Sequence, residues 1–371
     1  MNNRYIKTDG FRFIDNLHTT ARQLPVFTAI VRTLGNKQLT KNVLERLLID
    51  WSISEENNNS TYKQSKGKIT NNGEKTGALR YHIELSPSLG LTHRFNVTYQ
   101  NTKISKIFLQ FINGELIERI LAEKIFYLYQ LLILDADGII LLISELIGKR
   151  EKSQKKLQDN FKQALNDRLL LKKELSSQNV SSVIAEKYRI INFIWKNAGK
   201  YAEHIIAPRY EWLSYLHLVD INRNKNTTLY SLTEEGEIFY NCLPNLTKHN
   251  NLRDINYDWL NGNFFTLLNI TYPNNERITF ESMPQDKQDK ELSESLQKAR
   301  KAVQSSIAFK LPLREALLFI SMNLFIEKNI VINFSSILNK LKSGFIFNNR
   351  KYLLRVIGNE NQGYITVTII E

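Results

Sequence analysis

The side chains that most often do chemistry are present in this chain, but they are not grouped as a reaction needs them. The six histidines are scattered, and none shows the His-x3-His or His-Glu-x2-His spacing that holds zinc on one helix face. The single cysteine, Cys242, excludes an intramolecular disulfide and a zinc site built from cysteines. The sequence has neither a Gly-x4-Gly-Lys phosphate loop nor a Gly-x-Ser-x-Gly elbow. We therefore expect no catalytic residue, no metal site and no cofactor.

The acidic pair in Asp135-Ala-Asp137-Gly138 has a spacing that a cation site could use, because two carboxylates two residues apart can share a cation. However, no third acidic residue lies nearby in the sequence, and both flanks are strongly apolar. We interpret this segment as a turn between two helices, with Asp137 as the N-cap of the second helix.

The composition predicts a folded protein with an acidic partner. The chain has 371 residues, of which 42% are hydrophobic, enough for several cores. Its net charge of +13 favours a polyanion as partner, although a Lys-rich protein from an AT-rich genome is the alternative. The N-terminus lacks an apolar signal segment and no apolar run is long enough to span a bilayer, so we expect a cytoplasmic protein without a membrane partner.

Hydrophobic periodicity predicts a mainly helical α+β protein. Residues 11–50 have helical spacing, and Thr40 can cap the second helix of that stretch. Residues 54–77 are polar and low in complexity, which indicates a mobile surface insertion. The basic segment Lys149–Lys173 is interpreted as the solvated face of a helix. Hairpins are predicted over Val219–Leu232 and for the pair 352–357 and 364–370.

Two segments of the chain follow the same order. Residues 78–99 and 207–239 both open with Ala-x-Arg-Tyr on a short helix. Both helices close with Leu-x-Leu, at Leu89–Leu91 and at Leu216–Leu218, and both continue into a strand, a polar turn with arginine, and a second strand. A helix carrying Ile-Phe follows in each case. We interpret these segments as an internal repeat.

This order resembles the winged helix-turn-helix fold, in which a two-stranded wing follows the third helix and a Leu-x-Leu closes that helix. Tyr230-Ser-Leu-Thr-Glu-Glu-Gly236 is similar to the frequent wing exit of that family, Tyr-x-Leu-Thr-x-x-Gly, with Thr233 capping the next helix. The first copy lacks the glycine. The resemblance implies a winged helix over 1–110 with an insertion at 54–77, a helical connector over 111–182, a second winged helix over 183–250, and a C-terminal α+β module over 251–371.

The resemblance also implies double-stranded DNA as the partner. The short helix would enter the major groove, and the wing would lie on flanking phosphates. The candidate DNA-binding residues are Lys41, Lys75, Arg80, Tyr81, His82, Arg94 and Lys103 in the first copy, and Arg209, Tyr210, Arg223 and Lys225 in the second. Residues 1–110 carry a net charge of +8, whereas residues 183–245 are neutral, so the first copy is the better candidate for phosphate contact.

We therefore expect a non-catalytic DNA-binding protein, resembling accessory subunits of prokaryotic defence or restriction systems that assemble with protein partners. One alternative is a transcriptional regulator, which would be a homodimer on a palindromic site. A second is a winged-helix scaffold for protein interactions, without salt-dependent DNA affinity. A third is a metal-dependent nuclease, although the C-terminal strands lack the acidic residue and Glu-x-Lys pair that would hold magnesium.

Overall fold

A computed structural model describes residues 8–112, 116–148, 151–195, 198–224, 227–247, 252–303, 310–347, 350–357 and 363–370. Most of these residues are helical and the sheets are small, which confirms the mainly helical α+β class. The chain forms two compact units. Unit 1 comprises Met1–Gln100 and Tyr127–Tyr257, and unit 2 comprises Asn101–Phe126 and Asp258–Glu371.

Unit 1 begins with a group of helices closed by a small sheet. Its elements are α1 (Leu24–Leu34), β1 (Leu39–Thr40), α2 (Lys41–Asn58), α3 (Ser60–Gln64), β2 (Thr70–Asn71), β3 (Glu74–Lys75), α4 (Ala78–Leu85), β4 (Thr92–Phe95) and β5 (Thr98–Asn101). Helix α1 packs against α2 and α4. Strand β5 lies between β1 and β4 in a three-stranded sheet. The Thr40 hydroxyl accepts from the Val43 N–H, so Thr40 caps α2 as predicted.

The segment predicted as a mobile insertion has regular structure instead. Helix α2 continues to Asn58, and α3 and the β2–β3 hairpin follow it. Three buried hydroxyls join these pieces, because Ser52 Oγ lies 2.8 Å from Tyr62 Oη and 2.6 Å from Thr70 Oγ1. A polar sequence therefore forms a small polar core here rather than an unstructured loop.

The chain then passes through unit 2 and returns. Helix α5 (Lys103–Phe111) belongs to unit 2, and α6 (Leu116–Leu134) runs from unit 2 into unit 1. The rest of unit 1 is α7 (Ala136–Ser144), β6 (Lys152–Ser153), α8 (Gln154–Glu174), α9 (Gln178–Ile194), α10 (Ala198–Tyr215), β7 (Val219–Arg223), β8 (Thr228–Leu232) and α11 (Glu234–Cys242). Strands β7 and β8 pair from Val219 to Leu232, which confirms the predicted hairpin.

The second half of unit 1 repeats the architecture of the first. Helix α7 packs against α8 and α10, as α1 packs against α2 and α4. Strand β8 lies between β6 and β7, as β5 lies between β1 and β4. Even the buried tyrosines correspond, since Tyr99 pairs with Leu39 of β1 and Tyr230 pairs with Lys152 of β6. We call these halves the first and the second repeat.

The two Leu-x-Leu turns have the same backbone geometry. Their central residues, Gly90 and His217, both have positive φ, at 69° and 60°. The N–H of the residue that follows reaches back five residues in each, from Leu91 to the Ser86 oxygen at 3.0 Å and from Leu218 to the Leu213 oxygen at 2.9 Å. This bond is a common way to end a helix.

Counting back from these turns corrects the repeat that the sequence predicted. The Ala-x-Arg-Tyr match aligns Arg80 with Arg209. In the structure, His82 and Arg209 each stand seven residues before the first leucine of their turn. The sequence alignment of these two helices was therefore wrong by two positions, although the repeat itself is present.

Unit 2 contains α5, the beginning of α6, α12 (Tyr257–Thr271, after its first residue), β9 (Ile278–Thr279), a 3-10 turn (Phe280–Ser282), α13 (Gln285–Val303), β10 (Leu311–Pro312), α14 (Leu313–Glu327), β11 (Ile330–Val331), α15 (Phe334–Ser343), β12 (Phe345–Phe347), β13 (Arg350–Ile357) and β14 (Tyr364–Ile370). Helix α14 is buried along most of its length between its neighbours, which include α13 and α15. Strands β13 and β14 form the predicted C-terminal hairpin.

The sheet of unit 2 has the order β10-β14-β13-β12. A short strand, a group of helices and a hairpin thus follow one another as in the two repeats of unit 1, with the last strand again between the first strand and its hairpin partner. Across the residues that the structure describes, no single helix is long and apolar enough to cross a membrane. Only the pair Glu118–Leu134 and Ala136–Ser144, bent by 101°, reaches that length and composition together.

Candidate nucleic-acid interface

Helix α4 and the start of α2 present two cations that share one carboxylate. Arg80 is 64% exposed, and its Nε donates to Glu84 Oε1 at 2.8 Å. Lys41 Nζ lies 3.3 Å from the same oxygen. Exposed ion pairs of this kind contribute little to stability, so both cations are available to a competing anion at small cost. Arg80 is thus exposed, and Lys41 is partly exposed, with 32% of its side chain open to solvent.

Three further candidates are also exposed. Lys75 in β3 is 47% exposed and pairs with Glu45 at 2.5 Å. Arg94 in β4 donates from Nε to the Asn96 oxygen at 3.1 Å. Lys103 is the first residue of α5, which belongs to unit 2, whereas the other two belong to unit 1. The first repeat therefore presents Lys75, Arg80 and Arg94 at its surface.

Tyr81 is partly buried and packs against another ring. It stacks on His18 with a ring separation of 3.5 Å and an angle of 3°. His18 in turn lies 4.9 Å from His204 of α10. Tyr81 therefore helps to join the first repeat to the second, and only part of its side chain faces solvent.

His82 is fully buried, so the prediction that it reaches a DNA base is wrong. Its Nδ1 lies 2.8 Å from the Ala78 oxygen, and its Nε2 accepts the Gln23 N–H at 3.3 Å. Burial lowers the pKa of His82 to about 4, which keeps the ring neutral at physiological pH. Its ring faces Phe27 at 5.0 Å, as expected of a core residue.

The groove-facing prediction is also wrong for the second repeat. Residues 205–210 of α10 are all buried, including Arg209 and Tyr210. The Tyr210 hydroxyl donates to the Leu142 oxygen at 3.0 Å, and its ring stacks on Tyr230. Arg223 in β7 is 39% exposed and pairs with Glu211 at 2.5 Å. Lys225 lies outside the described residues.

Arg209 can be buried because the carboxylate of Asp135, at the break between α6 and α7, pairs with its charge. Its Nε and Nη2 donate to Asp135 at 2.7 and 2.6 Å, and Asp135 also accepts the Ile14 N–H at 2.9 Å. Both side chains are fully buried. A side chain at Gly138 would place its Cβ only 2.5 Å from Arg209 Nε, so this pair requires glycine there.

Asp137 joins a second buried group of charges. Its Oδ1 accepts from Arg168 Nε at 2.7 Å and from Lys172 Nζ at 3.0 Å, and its Oδ2 accepts the Arg12 N–H at 2.7 Å. Asp254 pairs with the same two cations, at 2.9 and 3.0 Å. Burial alone would raise the pKa of Asp137, but Lys172 and Arg168 outweigh it, and its pKa is lowered.

These contacts correct two interpretations of the sequence. The N-cap of α7 is Asp135 rather than Asp137, and the Asp135 side chain makes no capping bond. The basic helix α8 is not simply a solvated face, because Arg168 and Lys172 point into the core. The two groups of charges, Asp135 with Arg209 and Asp137 with Arg168, Lys172 and Asp254, are named the buried ion cluster below.

The exposed lysine and arginine side chains of the first repeat can form ion pairs with an anion. Among the described residues, no group of three or more His, Cys, Asp or Glu side chains is placed to hold a metal ion. The exposed cations of the first repeat can bind phosphate oxygens, whereas the buried ion cluster is closed to ligands.

Comparison with known proteins gives little further information. No family model matches the chain, and no curated protein is similar to it in sequence. Among solved structures, the chain is similar to the restriction endonuclease FokI, with a TM-score of 0.35 and 11% identity. That comparison covers 95% of this chain, which spans 63% of the FokI chain.

Proposed function

We propose that this protein binds double-stranded DNA without cutting it, and that the first repeat is a winged helix that makes the contact. The observation that carries the proposal is the order of the first repeat, in which a short helix, α4, is followed by the β4–β5 hairpin. That order supports the winged-helix assignment, and a helix of two turns fits the major groove.

The charges of the first repeat support the same proposal. Arg80 on α4 and Arg94 on β4 are exposed, and the hairpin segment Thr92–Asn101 contains no acidic residue. Lys41 and Arg80 pair with Glu84 and Lys75 pairs with Glu45, and a phosphate can replace these carboxylates. The proposal therefore assigns Arg80 to the major groove and Arg94 and Lys75 to flanking phosphates.

We assign a different role to the second repeat. The face of α10 that corresponds to the exposed part of α4 is closed, since Ala207 and Pro208 are buried at the positions of Arg80 and Tyr81. Its hairpin carries Arg223, which Glu211 neutralises. In this proposal the second repeat supports the first and makes no base contact.

The experiment is a titration of duplex DNA by fluorescence anisotropy at several salt concentrations, with and without magnesium. The affinity is expected to fall steeply with salt, because bound cations release counterions from the duplex. Lys75→Ala combined with Arg80→Ala should reduce the magnitude of the logarithmic salt slope by about two.

A matched control is Arg189→Ala combined with Lys200→Ala. It removes the same charge from exposed positions of α9 and α10 in unit 1, and the salt slope should stay unchanged. An affinity that does not respond to salt would overturn the proposal of DNA binding. Cleavage of the duplex in magnesium would overturn the proposal that the protein is not a nuclease.

The narrower expectation is that the chain is a subunit of a prokaryotic defence or DNA-processing complex. It rests on the resemblance seen in the sequence and stays a prediction. Purification from a native host, followed by identification of co-purifying proteins, tests it. A chain that purifies alone and binds a palindromic site as a homodimer would instead favour a transcriptional regulator.

A further inference from the structure

The tip of the β4–β5 hairpin carries two exposed apolar side chains. Phe95 is 52% exposed and Val97 is 66% exposed, on either side of Asn96. Single exposed apolar residues are ordinary on protein surfaces. Two of them at the tip of a hairpin that projects from a basic repeat are less ordinary, because they form a small apolar point among polar neighbours.

The tip is fixed by hydrogen bonds on both strands. Asn96 has a φ of 51°, which asparagine tolerates better than most residues, and its oxygen accepts from Arg94 Nε. The Thr98 hydroxyl donates to the Phe95 oxygen at 2.9 Å. The Lys41 N–H donates to the Val97 oxygen at 3.0 Å, which ties the tip to the start of α2. A rigid tip of this kind would lose little conformational entropy on insertion.

The charges around the tip indicate what it meets. His93 and Arg94 are exposed beside Phe95, and Thr92–Asn101 has no acidic residue to repel an anion. An occupant that offers phosphates at its rim and an apolar layer inside matches this pattern. The stacked bases of duplex DNA have that arrangement, and apolar wedges inserted between base pairs unstack and bend DNA.

We propose that Phe95, supported by Val97, inserts between neighbouring base pairs from the minor groove and bends the duplex, while Arg94 binds the adjacent phosphate. This inference rests on the proposed function, since it requires the first repeat to bind DNA. It goes beyond it by assigning to the hairpin tip a contact with the base stack and a deformation of the duplex.

The test compares Phe95→Ala with the unaltered chain on a short duplex that carries a fluorophore pair at its ends. The unaltered chain should raise energy transfer between the ends, because the bend brings them together. Phe95→Ala should remove that rise and weaken binding about tenfold, with the same salt slope, because it deletes a stacking contact and no charge. Phe193→Ala is the matched control, since Phe193 is 72% exposed on α9.

A second measurement follows the inserted ring directly. Phe95→Trp should show tryptophan fluorescence that is quenched on addition of the duplex, whereas Phe193→Trp should not. If Phe95→Ala binds and bends DNA like the unaltered chain, and Phe95→Trp is not quenched, this inference is overturned while DNA binding stands. If the unaltered chain shows no salt-dependent binding, the proposed function is overturned as well. If Phe95→Ala loses binding to another protein but still bends DNA, the inference is overturned as well.

Discussion

His82 and Arg209 occupy the same position in the two repeats, and both side chains are fully buried. His82 is neutral and bonds to two backbone groups. Arg209 is charged and depends on Asp135 and on the Ile205 and Ile14 oxygens. The same position in the two repeats is thus occupied by a neutral imidazole in one and by a charged, ion-paired arginine in the other. Mutation and pH should therefore change the stability of the protein differently at His82 and at Arg209.

Removing one partner of the Asp135–Arg209 pair should be strongly destabilising. Arg209→Ala is expected to cost roughly 3–5 kcal/mol of unfolding free energy, because it leaves Asp135 buried without its cation. Asp135→Leu combined with Arg209→Met removes both charges and should recover much of that loss. Urea denaturation of Arg209→Ala, of Asp135→Leu and Arg209→Met separately, and of the double variant measures these differences in unfolding free energy. Additive losses would show that the two charges do not depend on each other.

Gly138→Ala should destabilise the protein although glycine is unfavourable in helices. The added Cβ would lie 2.5 Å from Arg209 Nε and 2.8 Å from Asp135 Oδ1, so the ion pair must shift. Gly262→Ala in α12 is the control, because its nearest atom is Ser335 Oγ at 3.7 Å. It should stabilise by roughly 0.5–1 kcal/mol through helix propensity. Melting temperatures that rise for both variants would contradict the close approach at Gly138.

The burial of His82 should make stability depend on pH. Its pKa is about 4 in the folded protein and 6.5 in the unfolded chain, so the unfolded chain takes up the proton first as pH falls. The stability that depends on a neutral His82 is fully present above the unfolded pKa, and it is lost as the pH falls from 6.5 to 4. From pH 7 to pH 5 it amounts to roughly 2 kcal/mol.

His82→Leu should remove that part of the pH dependence. The variant is less stable overall, because the Gln23 N–H loses its acceptor, but its unfolding free energy should fall less between pH 7 and pH 5. His18, whose pKa is also lowered by burial, is present in both proteins and cancels in the comparison. Equal pH slopes for the two proteins would mean that His82 is not shielded from protonation.

Glu84 should oppose DNA binding in the first repeat, because its carboxylate occupies both Arg80 and Lys41. Glu84→Gln is expected to tighten duplex affinity roughly three- to tenfold at low salt. It frees two cations, and it removes a negative charge that repels the DNA phosphates. Glu211 stands at the corresponding position of the second repeat and pairs with Arg22 and Arg223. Glu211→Gln should leave affinity unchanged; a comparable gain there would move the DNA contact to the second repeat.

The sequence was informative for several features that local chemistry decides, although it assigned the N-cap of α7 to Asp137 instead of Asp135. Both predicted hairpins are present, because a polar turn between two β-forming runs is a local signal. The caps at Thr40 and Thr233 are also local, and both hydroxyls accept the expected N–H. The Leu-x-Leu turns identified the repeat for the same reason, since each turn closes its helix through nearby backbone groups.

The sequence did not predict which charged side chains are buried, because their partners lie far away along the chain. Arg168 lies 31 residues from Asp137 and 86 from Asp254, so nothing local distinguishes it from a solvated arginine. Arg209 was misread for the same reason, and the chance match of Ala-x-Arg-Tyr reinforced the error. The one available signal was the burial of two aspartates between apolar runs, which requires compensating cations somewhere in the fold.

The chain near both ends of unit 1 converges on the buried ion cluster. The Arg12 guanidinium donates to the Leu132 and Ile255 oxygens, and its N–H donates to Asp137. Close by, the Tyr257 N–H donates to Asp9 at 2.7 Å. All six charged side chains of the cluster lie between residues 135 and 254, so the second half of unit 1 keeps its ion pairs on its own. The N-terminal segment supplies the N–H groups of Arg12 and Ile14 and the Arg12 guanidinium. A recombination event that transferred the second repeat without residues 9–14 would strand hydrogen-bond acceptors rather than charges, so this short segment must travel with that repeat.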